Sequence, residues 1–110
     1  LFEYFLSDRA GHSGEMAAAV QVLATLDRFV AVLARAAAAG GPSLVITSDH
    51  GNIEDMRIRT HTRNPVPLIV LGRDATEWEG VASLTEVTPA ILRGWGGEGD
   101  DVPPSVGETV

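Results

Sequence analysis

Ser43-Leu44-Val45-Ile46-Thr47-Ser48-Asp49-His50-Gly51-Asn52 decides the fold. Three consecutive aliphatic residues between Ser and Thr have the pattern of a strand covered on both faces, as in a parallel sheet with helices on either side. The strand then runs directly into a carboxylate, an imidazole, a glycine and an amide. Ligand sites of open α/β sheets lie beyond the carboxyl ends of the strands, so Asp49 and His50 stand where chemistry is expected.

Upstream, residues 13–39 carry polar residues at Gln21, Thr25, Arg28 and Arg35, with Met16, Val20, Leu23, Val30, Leu33 and Ala37 as an apolar stripe. The spacing predicts one long amphipathic helix, with Ser13 as its cap and Gly40, Gly41 and Pro42 as its stop. Residues 1–6, apolar apart from Glu3, read as a buried strand. Strand, helix, strand implies a right-handed crossover. An opening inside a core strand, with no initiator Met, reads as a piece of a longer protein.

Downstream, residues 65–71 predict a third strand with its prolines at the start. A loop follows over 72–80. A helix is expected over 83–95, where Ser83 and Glu86 have capping-box spacing, or from Thr88 if Pro89 marks a restart. The Gly-, Pro- and acid-rich residues 96–110 read as a mobile tail. The expected class is α/β, a mainly parallel sheet with covering helices, with residues 1–95 forming part of one domain.

Composition narrows the function. Of 110 residues, 45% are hydrophobic and 21% charged, ordinary values for a globular chain. Eight basic residues against 15 acidic ones give a net charge of −7, which leaves no basic footprint for nucleic acid or for an anionic membrane. All the basic residues are Arg, so Schiff-base chemistry and a phosphate-loop lysine are excluded. The absence of Cys removes disulfides and thiolate sites and fits a cytoplasmic setting. No apolar run is expected to approach the roughly 20 residues of a membrane span.

The chemistry gathers in three places. Asp8 and His12 end the first strand, with Gly11 to bend the chain; Asp49 and His50 end the second; His61 lies in the loop that leads to the third. Carboxylate and imidazole together suit zinc, manganese or iron better than calcium or magnesium. Asp49 and His50 are adjacent and diverge in extended backbone, which is natural where two ions about 3.5 to 4 Å apart each take one of them. Asn52, Arg63 and Asn64 are candidates to hold phosphate or to orient a ligand side chain. Arg57 and Arg59 read as solvated arginines, Glu54 and Asp55 as exposed acids, and Trp78 and Trp95 as packing residues. Ser7, Ser13 and Ser48 lie near the cluster but are not expected to be nucleophiles.

The runs from Asp8 to His12, from Thr47 to Asn52 and from Thr60 to Pro67 resemble, in order, the metalloenzyme domain of the alkaline phosphatase superfamily. The nearest branch is the C-terminal part of cofactor-independent phosphoglycerate mutase. The resemblance covers just over half the chain. It implies that Asp8, His12 and His61 hold one metal and that Asp49 and His50 help to hold a second. It also implies two divalent ions, manganese or zinc, a small phosphorylated metabolite as substrate, and a nucleophilic Ser or Thr upstream of this chain, without which these residues alone are inactive. Arg63 before Asn-Pro-Val-Pro is instead similar to phosphopentomutase, which keeps that activity, or a phosphohydrolase of the same superfamily, as the alternative. A non-catalytic metal-binding or subunit-pairing role is the reading from a different class, and homo-oligomers are expected through an exposed sheet edge or the apolar helix surface.

Overall fold

The computed structural model describes residues 1–73 and 75–95; the expected tail and the Trp95 side chain lie outside the described part. The chain divides into two compact units, 1–76 and 77–110. In the first, the order is α1 (Leu6–Ser13), α2 (Met16–Ala38), β1 (Leu44–Thr47) and β2 (Leu68–Leu71).

The expected first strand is absent. Residues 1–4 form no regular element, and from Phe5 onward the backbone turns into α1, with the Arg9 N–H donating to the Phe5 carbonyl at 3.1 Å. The physical reason is local: helical bonds are available at once, whereas a strand would need a neighbour. The single helix expected over 13–39 is broken near its start. Gly14 adopts φ 71°, a left-handed conformation that ends α1 as a glycine cap, and its N–H donates to the Gly11 carbonyl. Ser13 does not cap α2; its hydroxyl donates to the Ala10 carbonyl at 2.6 Å and accepts from the Glu15 N–H at 3.1 Å.

α2 begins at Met16 and stops before Gly40. Its covered stripe runs through Ala19, Val22, Leu26, Val30, Leu33 and Ala37, at spacings of three and four. The C-terminal half of the expected stripe is therefore in place, but Met16, Val20 and Leu23 are exposed. α2 packs on α1, β1 and β2. Its length of 23 residues and a window of mean hydropathy 1.6 make it apolar enough to cross a membrane by length and composition alone, contrary to the composition reading. Alanine explains the difference, because it raises hydropathy without adding a continuous run of large side chains.

The sheet is also not the expected one. Among the described residues it has two strands, paired antiparallel with Leu44 opposite Leu71 and Thr47 opposite Leu68. No helix lies between β1 and β2, and a parallel pairing needs a crossover. The intervening chain instead folds back through a bridge between Gly51 and Thr62, where the Thr62 N–H donates to the Gly51 carbonyl at 2.8 Å. The prolines stand before β2, as expected, and β1 is half-buried rather than covered on both faces.

In the second unit Ser83 and Glu86 form the expected capping box around a short 3-10 turn, which runs straight into α3 (Val87–Trp95). Pro89 is taken up inside the first turn of α3, where a missing N–H costs nothing. Trp78 and Ala90 are buried, and Arg93 donates to the Glu77 carbonyl at 3.0 Å.

Candidate metal centre

Asp8 and His12 lie four residues apart on α1, and that spacing places both side chains on one helix face. Their convergence thus comes from helix geometry rather than from a bend at Gly11. His50 arrives from the end of β1, and His61 from the returning arm of the loop, one residue before the bridge at Thr62. The imidazole Nε2 atoms of His12, His61 and His50 stand 3.3, 3.4 and 4.0 Å from Asp8 Oδ1. The His50 and His61 rings stack at 3.5 Å and 14°, and the His12 and His61 centroids are 5.2 Å apart.

Asp8, His50 and His61 form the tightest group, with one donor atom from each inside 4.8 Å of the others. Asp49 stands apart: its carboxylate lies 3.5 Å from His50 Nε2, but its side chain is 86% exposed. His50 therefore faces both carboxylates, and the closest grouping joins it to Asp8 and His61.

Two observations bear on whether a cation fits. Asp8 Oδ1 is buried with no hydrogen-bond donor, although a buried carboxylate oxygen is costly to leave unpaired. His12 Nδ1 lies 2.6 Å from the Arg59 carbonyl, which can only accept, so the ring proton sits on Nδ1. In the neutral ring Nε2 then offers a lone pair toward Asp8 Oδ1. Two acceptors 3.3 Å apart call for a positive charge near both, and a carbonyl behind the imidazole is the usual support of a metal-ligating histidine. The donor set fits a divalent metal ion.

Around this cluster the remaining candidates separate. Asn52 is 95% buried, and neither its amide nitrogen nor its amide oxygen has a partner. It presses on α1 so closely that a Cβ at Gly11 would coincide with its amide oxygen. Asn64 donates to Glu54 at 3.0 Å, and Arg63 is exposed. Arg57 forms a two-point pair with Asp55, both contacts at 2.8 Å, and this guanidinium holds the Asp55 carboxyl at about 2. The hydroxyls of Ser7, Ser13 and Ser48 each donate to a backbone carbonyl, of Tyr4, Ala10 and His50 respectively.

Glu54 and Thr62 are the residues that sequence reasoning missed. Glu54 is exposed, as expected, but it also accepts from the Asn52 N–H at 2.6 Å, from Asn64 and from the Thr62 hydroxyl. The Thr62 bond above all, helped by the backbone and Asn64 donors, holds its carboxyl at about 2, against an ordinary value of 4.5. The signal was a count of donors: a loop carrying Thr60, Thr62 and Asn64 needs an acceptor, and Asp55 is engaged by the nearby Arg57.

Residues 3–96 match the Metalloenzyme superfamily. The chain belongs to this superfamily. Curated relatives of this family include 2,3-bisphosphoglycerate-independent phosphoglycerate mutases. The chain is 36% identical to the one from Methylobacillus flagellatus over 81% of its own length and 19% of that protein's. It is 46% identical to the one from Thermosynechococcus vestitus over 78% and 19%, and 42% identical to the one from Pseudoalteromonas translucida over 77% and 18%. The chain thus spans about a fifth of the length of the relatives it matches. No solved structure matches it. As a metalloenzyme-superfamily chain it has the mixed helix and strand content of an α/β family, with the small antiparallel sheet described above.

Proposed function

We propose that these residues are the metal-holding portion of a two-metal phosphoryl-transfer enzyme, a phosphomutase acting on a small phosphorylated metabolite such as phosphoglycerate. The observation that carries the reading is the buried, donorless Asp8 Oδ1 facing three imidazole nitrogens. Asp8, His12, His50 and His61 would hold one divalent ion, and Asp49 would contribute to a second. Bound there, manganese or zinc supplies positive charge for a transferring phosphoryl group and acidity for an attacking hydroxyl.

The chain's own residues have definite parts in this scheme. The Arg59 carbonyl keeps the His12 proton on Nδ1 and leaves Nε2 free to ligate. α1 holds Asp8 and His12 in register, and the Gly51–Thr62 bridge holds the two loop histidines together. Arg63, exposed two residues beyond His61, would meet a phosphate, while Arg57 is already taken by Asp55. As the resemblance implies, the nucleophile would be supplied by residues outside these 110. The protein is read as cytoplasmic, with the covered stripe of α2 lying on α1 and the strands.

The test is metal analysis of the purified full-length protein, of which these residues are a portion, together with a phosphomutase assay on 3-phosphoglycerate, before and after chelation. Manganese- or zinc-dependent turnover that Asp8→Asn abolishes supports the reading. A protein that binds neither ion refutes it.

A further inference from the structure

The carboxylate of Glu54 does not face the histidines, yet it touches both chain segments that deliver them. Its Oε2 accepts from the N–H of Asn52, two residues beyond His50. Its Oε1 accepts from the Thr62 hydroxyl, one residue beyond His61, and from the Asn64 amide. Between these contacts runs the single bridge of Gly51 to Thr62, and each partner of that bridge directly follows one of the stacked histidines. The approach is as close as a glycine allows, because a Cβ at Gly51 would collide with both the Thr62 hydroxyl and the Glu54 carboxylate.

We propose that Glu54 is a positioning residue that fixes the spacing of His50 and His61, and through it the affinity for the divalent ion. The proposal rests on the reading above that these histidines ligate a metal. One backbone bridge leaves two loop arms free to shear. Glu54, itself on the His50 arm and tied there to the Asn52 N–H, sends two contacts across the same gap to Thr62 and Asn64, and so opposes that motion. Its carboxylate stays ionised throughout the range in which imidazoles ligate, so the clamp and the metal site are formed together. Thr62 is the complementary half, through a hydroxyl that a serine would also provide.

The experiment is a manganese titration, followed by loss of the free-ion electron paramagnetic resonance signal, on the full protein and on Glu54→Gln, Thr62→Val, Thr62→Ser and the Glu54→Gln/Thr62→Val double variant. Thermal unfolding is recorded for each. Outer groups that orient metal ligands change affinity by roughly 10- to 100-fold when removed. Each of Glu54→Gln and Thr62→Val is expected to weaken manganese binding by about tenfold. Thr62→Ser should stay within about twofold, and the double variant should be no weaker than the worse single one by more than about twofold. Affinity unchanged in Glu54→Gln, independent losses that multiply in the double variant, or Thr62→Ser as weak as Thr62→Val overturns the proposal while leaving the metal reading intact. If Glu54→Gln does not fold, the two Thr62 variants decide alone. No manganese uptake by the unaltered protein overturns both.

Discussion

Gly11→Ala sets two effects of opposite sign against each other. Gly11 lies inside α1, and replacing a helical glycine by alanine ordinarily stabilises by about 0.5–1 kcal/mol through backbone entropy. The new methyl would here occupy the place of the Asn52 amide oxygen, and Asn52 is only 5% exposed. Overpacking a filled site costs about 1–3 kcal/mol. The steric term is the larger, so a net loss of about 1–2 kcal/mol is expected in urea denaturation. Relief can come only by moving Asn52 or by lifting α1 away from the loop. Either movement parts Asp8 and His12 from His50 and His61, so manganese affinity should fall on the order of tenfold together with stability. A protein stabilised by up to about 1 kcal/mol, with manganese binding unchanged, would refute the packing of Asn52 against α1.

Three further outcomes follow from the site. Asp8→Asn should weaken manganese binding far more than Asp49→Asn, by at least about tenfold in calorimetric titration, because Asp8 faces three imidazoles and Asp49 is 86% exposed; equal losses would count against the site. Glu54 titrates at about 2 when folded and near 4.5 when unfolded, so its contribution is complete above about pH 4.5 and is lost as the pH falls toward 2. Its exposure limits that contribution to about 1 kcal/mol, and unfolding measured at pH 6 and pH 3 should show it in the unaltered protein and not in Glu54→Gln. Ser7→Ala and Ser13→Ala should leave metal-dependent turnover within a few-fold, because both hydroxyls are donated to backbone carbonyls; abolition by either would place the nucleophile inside this chain.

That Asp8, His12, His50 and His61 gather was legible, and their scaffold was not. Asp8, His12, Asp49, His50 and His61 are the residue types that a cation needs, and chemistry of that kind survives a mistake about backbone. The strand expected over residues 1–6 failed because an apolar run of that length has no period to distinguish helix from strand. The parallel sheet failed on connectivity: residues 48–67 hold no helical pattern, so a return by hairpin was the only short route, and that absence was readable in the sequence. The capping box at Ser83 and Glu86 was found because it depends on two residues at a fixed interval. The clamp at Glu54 was missed for the opposite reason, since its partners lie eight and ten residues away across a turn that the sequence does not announce.

The acceptor behind His12 is a main-chain carbonyl, and that choice separates the fate of position 59 from the fate of the imidazole. A side-chain carboxylate in that role could be lost by one base change. A carbonyl is present whatever residue is encoded, so drift at position 59 leaves the tautomer of His12 untouched as long as the loop keeps its path. The Arg59 side chain, resting against Gly14 at the junction of the two helices, is thereby released to evolve on other grounds. Position 59 can thus vary widely among functional proteins while the ring it supports does not.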